Sequence, residues 1–321
     1  MALILVLVAC AEEPCGPGTV CTVVGTGLIG FTGEGRAAVE SALYLPSALA
    51  LDPDGRPCVV DYNNMRVRCL DAGRLVTVAG NGDHGFSVPG APALESPIEN
   101  PIDAVWSPEG RLTVLATHES RVFHLDDDGL VERIAGTGDE GYSGDGGPAL
   151  DAIFNQPCGI AWASDGALWI ADTLNEAVRR VDEDGVVSTV LAELPGVMRV
   201  RASTDGAVLV ADAFGGRVLR LAPDGAVTVL AEGLDTPWSA REDGDGVLVS
   251  EAGGNRVVRV VNGAVEVLGG TGEGGFAGDG GPAMDALFHW PADALRLPNG
   301  AVLVADMQNA RVRVIQAVEG E

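Results

Sequence analysis

Short apolar segments alternate with glycine-centred turns along most of the chain, and the pattern returns six times. Each copy reads as an apolar strand, a turn, a second apolar strand, a loop, and a third strand that mixes apolar residues with arginine. The copies span 45–71, 100–126, 156–182, 196–222, 236–262 and 290–316. The residues opening their first strands are Pro46, Pro101, Pro157, Val197, Pro237 and Pro291. Short strands at a fixed period predict an all-β fold, a six-bladed β-propeller with one blade per copy.

The distances between copies indicate where segments are inserted between blades, and the incomplete last copy predicts how the ring closes. Successive opening residues are 55, 56, 40, 40 and 54 positions apart. The three longer steps contain similar glycine-rich segments, at 80–96, 136–152 and 270–286, and a fourth precedes the first copy at 25–41. These four segments are here called the Gly-rich inserts. The last copy has only three strands, and VCTVVG (20–25) resembles the missing fourth. An N-terminal strand is therefore predicted to complete the last blade, which makes 20–321 a single propeller domain.

These repeats resemble a known family. The segment P.GIA…DG.LWIADT.N..VRRVD around 157–182 is similar to an NHL repeat. The motif GTG..GYSGDGGPA..A is similar to inserts in extracytoplasmic bacterial members and in the NHL region of teneurins. The resemblance covers roughly 20–316 and implies a fold more than a function, since propellers host lyases, lactonases and binding platforms. Two positions depart from the family pattern: Ala116 replaces the strand-end Asp, and Ala177 replaces the Arg that follows it.

The charge of the chain limits the partners it can bind. The net charge is −26, and all 20 basic residues are arginine. Such a surface repels nucleic acid and anionic membranes, whereas a basic or metal-bearing ligand is easier to accommodate. The composition fits either a GC-rich genome or adaptation to salt.

The first residues suggest export and lipid attachment. Leu7-Val8-Ala9-Cys10 resembles a bacterial lipobox, in which a signal is removed before a lipid-modified cysteine. The apolar run is too short to span a bilayer, for which about 20 residues are needed. It also lacks the positively charged start of a signal peptide, which suggests that the true start codon lies further upstream. An ordinary secretory segment and an unstructured apolar start are the alternatives. We therefore expect a signal segment at 1–9, lipidation at Cys10, a tether at 10–19, and an extracytoplasmic bacterial protein that touches the membrane only through this anchor.

The cysteines fit an oxidising compartment. Cys58 and Cys69 flank the loop 62–65 symmetrically, which places them opposite each other on antiparallel strands and predicts a disulfide. Cys15 and Cys21 are candidates for a second, small loop. Cys158 is then unpaired, either as a reactive thiol or as a small residue buried under the loops.

The direction of the strands places the loops between second and third strands on one rim, together with the Gly-rich inserts. This rim, here called the loop face, carries Tyr62, His118, Phe214 and Gln308. The central channel also opens there, with Asp103 expected to face Ser239 and Arg241 across it, and Met198 and Arg201 adjacent. The candidate ligand-binding residues at this mouth are Asp103, Arg199, Trp238, Arg241, His289 and Asp293. The alternative is that the Asp and Arg residues only pair with one another.

Other acidic residues have a structural interpretation. Asp61, Asp172, Asp212, Glu251 and Asp306 recur at strand ends, followed by Arg66, Arg179, Arg217, Arg256 and Arg311. Repetition in each blade predicts structural ion pairs rather than a metal ring. The pairs Asp145/Asp151 and Asp279/Asp285 could bind calcium. The favoured interpretation of these segments is a glycine turn followed by a short helix from Pro148 or Pro282.

Two classes of function remain. The favoured one is a binding or scaffold module without cofactor, metal or catalytic residues, which presents its loop face to a protein, a glycan or a small polar ligand. The alternative is a metal-dependent lyase or lactone hydrolase at the channel mouth. Zinc would need about three protein ligands, and only His289 lies near the mouth, with His118 on a loop and His84 in an insert. We also expect a monomer, because a closed ring leaves no free edge to pair.

Overall fold

The computed structural model describes residues 15–318, which form twenty-five strands in six antiparallel sheets. The chain begins with β1 (Val20–Val24) and β2 (Arg36–Ala37). Blade 1 contains β3 (Pro46–Leu51), β4 (Pro57–Asp61), β5 (Arg66–Asp71) and β6 (Arg74–Ala79). Blade 2 contains β7 (Pro101–Trp106), β8 (Leu112–Ala116), β9 (Arg121–Leu125) and β10 (Val131–Ala135). Blade 3 contains β11 (Gly159–Trp162), β12 (Leu168–Asp172), β13 (Ala177–Val181) and β14 (Val187–Leu191).

The second half of the ring follows the same plan. Blade 4 contains β15 (Val197–Ala202), β16 (Val208–Asp212), β17 (Arg217–Leu221) and β18 (Val227–Glu232). Blade 5 contains β19 (Pro237–Asp243), β20 (Gly246–Glu251), β21 (Arg256–Val261) and β22 (Ala264–Gly269). Blade 6 contains β23 (Pro291–Arg296), β24 (Val302–Asp306) and β25 (Arg311–Ile315). Short 3₁₀ helices occupy Ala38–Glu40, Tyr62–Asn64, Ala149–Asp151, Thr173–Asn175, Ala283–Asp285 and Met307–Asn309. Between residues 15 and 318 there is no helix long and apolar enough to cross a membrane.

The ring closes as the sequence predicts. β1 pairs antiparallel with β25, with Val20 opposite Ile315 and Thr22 opposite Arg313, so blade 6 takes its fourth strand from the N-terminal side of the domain. The hydrophobic core lies between neighbouring blades. At the closure, Val23 packs with Leu49, Val59 and Leu303 from both adjoining blades. The chain ends are thereby held together by sheet hydrogen bonds and by apolar packing.

The Gly-rich inserts cover the outer edges of blades, a role that the repeat pattern does not predict. Each insert leaves the loop face and runs along the outermost strand of the blade that follows it. The backbone N–H groups of Gly35, Gly90, Gly146 and Gly280 donate to the carbonyl oxygens of Leu75, Val131, Val187 and Val20, at 2.8–3.3 Å. In blade 1 the contact is regular enough for β2 to add to β6 as a fifth strand. Four of the six blades therefore have a covered outer edge.

Blades 4 and 5 are preceded by short connections and have no such cover. β18 and β22 form the outer edges of their sheets, and the described residues provide no strand or bridge on their outward side. The expectation that ring closure leaves no free edge is therefore wrong. Closure joins the first blade to the last, but it does not protect the outer strand of each individual blade.

Candidate functional site

Two carboxylates stand at matching places on the innermost strands of blades 2 and 6. Asp103 lies on β7 and Asp293 on β23, and both side chains are fully buried. Each accepts a hydrogen bond from the innermost strand of the next blade. The N–H of Ile160 donates to Asp103 at 2.9 Å, and the N–H of Leu49 donates to Asp293 at 2.9 Å. Each carboxylate thus satisfies an edge N–H that faces the channel and has no strand partner.

Three arginines from blades 4 and 5 cross toward these carboxylates. Arg201 joins both, with Nη1 2.7 Å from Asp103 and Nη2 3.3 Å from Asp293. Arg199 lies 3.0 Å from Asp103, and Arg241 lies 2.7 Å from Asp293. The same guanidinium groups also donate to strand carbonyl groups, Arg199 to Ser47 and Arg241 to Leu49. The channel is therefore bridged by one continuous ionic network.

The network controls the ionisation of its acids. Burial alone would raise the pKa of Asp103, but the guanidinium groups of Arg199 and Arg201 hold it below its usual range. In the same way, Arg241 and Arg201 overcome the effect of burial and lower the pKa of Asp293. Neither carboxyl group is suited to act as a general acid or base near neutral pH, because each stays ionised and bound to arginine.

The residues proposed for ligand binding fall into two groups. The channel network contains Asp103, Arg199, Arg241 and Asp293. We expected Ser239 and Arg241 to face Asp103, but both contact Asp293 instead. Trp238 and His289 lie outside this network.

Trp238 packs edge-to-face against Trp290, with ring centroids 5.4 Å apart, and both rings are partly exposed. His289 is exposed, and its backbone N–H donates to the carboxylate of Asp306. We did not identify Trp290 or the bridging role of Arg201 from the sequence. Both residues lie on or next to the first strand of a blade, and this position could have indicated that they are close to the channel mouth.

A second set of buried acids fixes the Gly-rich inserts to the following blades. In blade 3, Asp172 accepts from the N–H of Asn155 at 2.8 Å and from Asn175 at 2.9 Å, and Arg179 lies 2.9 Å away. Asn175 also donates to the carbonyl of Gly141 inside the insert at 2.7 Å. Blades 1 and 6 repeat this arrangement with Asp61, Asn64, Arg68 and with Asp306, Asn309, Arg313.

The ion-pair pattern is confirmed with two corrections. Asp61 pairs with Arg68 and Asp306 with Arg313, and not with Arg66 and Arg311. In these blades the partner is seven residues along, as in blade 3, because the nearer arginine is used elsewhere. Arg66 donates to the carbonyl of Asn81, at the start of the following insert, and Arg311 does the same to Thr26. In blades 4 and 5, Asp212 pairs with Arg217 and Glu251 with Arg256.

The proposed calcium ligands have other partners. Asp145 lies 2.7 Å from Arg179, and Asp279 lies 2.7 Å from Arg313. Asp151 and Asp285 end the short helices Ala149–Asp151 and Ala283–Asp285, which follow Pro148 and Pro282 as predicted. Within 15–318, no group of three or more His, Cys, Asp or Glu side chains could hold a metal ion.

In blade 2, where Ala116 replaces the strand-end Asp, a glutamate supplies the buried carboxylate. Glu119, three residues beyond Ala116, is fully buried. Its carboxylate accepts from the N–H of Glu99 at 3.0 Å and from the N–H and hydroxyl of Ser87 at 2.9 and 2.7 Å. Ser87 belongs to the insert, so Glu119 replaces both the Asp and the Asn of the other blades. Burial outweighs these bonds and raises the pKa of Glu119.

The histidines do not converge. His84 pairs with Glu99 at 2.9 Å, His124 pairs with Glu132 at 2.9 Å, and His118 packs edge-on against Tyr62. Together with the exposed position of His289, these contacts leave the described chain without the three ligands that a zinc centre needs.

The predicted disulfide between Cys58 and Cys69 is present, and the candidate pair Cys15 and Cys21, which the sequence left open, is also bonded. Cys58 and Cys69 occupy paired positions on β4 and β5 with a Cα separation of 3.9 Å. Cys158 is a free thiol, and burial raises its pKa, which favours the unreactive protonated form.

The loop face carries a repeated row of aromatic rings. Each Gly-rich insert places one ring over an arginine of the following blade, and each ring is roughly half exposed; the rings are Phe31, Phe86, Tyr142 and Phe276. On blade 4, which has no insert, Phe214 is 75% exposed. Rings held by cation–π contacts are rigid and still present apolar surface to a partner.

Comparison with known proteins agrees with this architecture. A model described as the teneurin NHL domain matches residues 126–213. The resemblance to NHL repeats is thus supported for residues 126–213. The chain is 36% identical over 159 residues to Teneurin-m of Drosophila melanogaster and 28% identical over 186 residues to Teneurin-1 of Mus musculus. These alignments cover 48% and 54% of the chain but only 6% and 7% of the two teneurins.

Solved structures share the fold at low identity. An auxiliary nutrient binding protein from Bacteroides ovatus has a TM-score of 0.66 at 14% identity, covering 92% of this chain and 75% of that one. A streptogramin B lyase has a TM-score of 0.60 at 14% identity, covering 86% and 94%. A gluconolactonase from Xanthomonas campestris has a TM-score of 0.62 at 14% identity, covering 95% and 99%. Binding proteins and enzymes are thus both similar in fold, and the site must discriminate between them.

Proposed function

We propose that this NHL propeller is a non-catalytic binding module that presents its loop face to a partner protein. The observation that carries the proposal is the state of the channel mouth. Asp103 and Asp293 are buried and bonded to arginines and strand amides, so neither carboxylate is free to act as an acid, base or nucleophile. The exposed aromatic row on the same face supplies the kind of surface that protein interfaces favour.

We place this module outside the cytoplasm, attached by lipid at Cys10. Support comes from the lipobox-like residues Leu7 to Cys10, which lie outside the described part of the chain, and from the two disulfides, which are typical of oxidising compartments. Cys10→Ala tests the anchor. The variant should move from the membrane fraction to the soluble fraction, and retention in the membrane would refute lipidation.

The binding face can be tested by site-specific photocrosslinking in the cells that make the protein. A benzoylphenylalanine at Phe86 or Phe214 should give discrete crosslinked adducts, whereas the same probe at Asp54 or Asp224, on exposed turns of the opposite rim, should give none. Equal labelling from both rims would contradict the assignment of the loop face.

Measuring the zinc content of the purified protein tests the alternative, a metal-dependent lyase or lactone hydrolase. Residues 11–321 with oxidised cysteines, purified without chelator, are expected to carry less than one equivalent of zinc by native mass spectrometry. Stoichiometric zinc that is lost in a His84→Ala/His289→Ala variant would favour a lyase or lactone hydrolase instead.

A further inference from the structure

The uncovered blades expose a position that every covered blade buries. The equivalent residue is the first or second of each outermost strand: Leu75, Val131, Val187 and Val20 in the covered blades, and Val227 and Val265 in blades 4 and 5. The four covered residues are 0–2% exposed, whereas Val227 is 46% and Val265 44% exposed. The burial difference at one repeated position reflects the cover and not the blade sequence, because all six residues are aliphatic.

The uncovered edges also present outward-facing backbone N–H and C=O groups with which a partner strand could pair. In blade 3, the N–H of Val187 donates to Gly147 and its carbonyl accepts from Gly146. Val227 has the same register, paired with Leu221 as Val187 is with Val181, so its N–H and C=O point outward in the same way. A row of unpaired outward groups with exposed valines is a template for strand addition.

The surroundings of β18 indicate the chemistry of the added strand. A cleft of about 460 Å³ separates blades 4 and 5, lined by Val229 and Leu230 of β18 and by Asp205, Glu242 and Asp245. Arg220 in its wall pairs with Asp205, and Arg259 pairs with Asp245. Glu242, which accepts from the N–H of Thr204, therefore supplies the negative charge of this wall that no described arginine neutralises. Two copies of this chain, each with a net charge of −26, would repel each other at such an edge. A basic partner is therefore favoured over self-association.

We propose that the outer edges of β18 and β22 bind an extended, Arg- or Lys-rich segment of another protein, which adds to blade 4 or 5 as β2 adds to blade 1. Main-chain hydrogen bonds would supply affinity, and the acidic cleft would select the basic side chains. This lateral surface is separate from the loop face and does not depend on the function proposed above.

The test uses the whole chain and a blocked octapeptide of alternating arginine and valine. We expect saturable binding by calorimetry and slower amide hydrogen exchange in segments containing Val227 and Val265. A peptide with proline in place of valine has the same charge but cannot complete the ladder. Equal affinity for the two peptides would show that charge alone attracts them and would overturn the proposal.

Paired protein variants locate the site. Val227→Arg/Val265→Arg should weaken peptide binding at least about tenfold, because the substitution blocks the edge and repels the peptide. Leu94→Arg/Met284→Arg makes the same charge change at exposed apolar residues of two inserts and should change affinity less than about twofold. An equal loss in both pairs, or a dimer in the wild type that only the edge variant abolishes, would overturn the proposal.

Discussion

At the scale of single residues, the two departures from the repeat pattern both have physical reasons. Ala116 is tolerated because Glu119 brings a carboxylate to the same N–H groups from three residues further along. Ala177 occupies the position of Arg66, Arg121 and Arg311, which donate to the first residues of a following insert. No insert follows blade 3, so an arginine there would have no such acceptor.

The role of Glu119 gives the first prediction. Glu119→Gln leaves one acceptor oxygen for three donors in a fully buried place, so the free energy of unfolding should fall by about 1.5–3 kcal/mol. Urea denaturation followed by tryptophan fluorescence measures this difference. Glu95→Gln, at an exposed glutamate in the same insert, is the matched control and should have little effect. A Glu119→Gln protein as stable as its control would mean that the insert is held by other contacts.

At the scale of elements, the sequence predicts what depends on regular strand pairing. Blade number, ring closure and the opposition of Cys58 and Cys69 all follow from positions counted along alternating strands. The sideways course of the inserts does not follow, because glycine-rich segments have no periodicity that specifies a partner. The choice between Arg66 and Arg68 as the partner of Asp61 could not be made either, since the competing acceptor for Arg66 lies in that unpredicted segment.

The cross-strand disulfide gives a prediction at this scale. Cys58 and Cys69 close a loop with a sequence separation of 11. Cys58→Ala/Cys69→Ala should lower the free energy of unfolding by about 3 kcal/mol, chiefly because the unfolded chain gains freedom. The measurement is chemical denaturation of wild type and variant with and without reductant. The variant should be insensitive to reductant except through Cys15–Cys21, and a variant as stable as the oxidised wild type would refute a stabilising role.

At the scale of the whole molecule, buried carboxylates fall into two classes with opposite electrostatics. The channel acids Asp103 and Asp293 each meet two or more guanidinium groups, and their pKa values are lowered despite burial. The insert-fixing acids Asp61 and Asp306 each have one arginine beside backbone and amide donors. There burial prevails and raises the pKa of each to about 6. The number of arginines around a buried acid, and not burial alone, decides the direction of its shift.

These opposite shifts predict how stability depends on pH. The folded pKa of Asp61 and Asp306 exceeds the ordinary value of 3.8, so their favourable contribution is complete below pH 3.8 and is lost as pH rises through about 6. The contribution of Asp103 and Asp293 is present above pH 3.8 and is lost on further acidification. The melting temperature should therefore be highest near pH 4 and should fall by several degrees by about pH 6.

Calorimetry across this range, with matched variants, separates the two buried acids from the general repulsion of a chain of charge −26. Asp61→Asn/Asp306→Asn should flatten the decline between about pH 4 and 6, because an amide does not titrate. Asp54→Asn/Asp224→Asn removes the same charge from exposed turns and should leave the decline in place. If both pairs flatten it equally, surface repulsion controls the pH dependence, and Asp61 and Asp306 are ionised in the folded protein throughout this range.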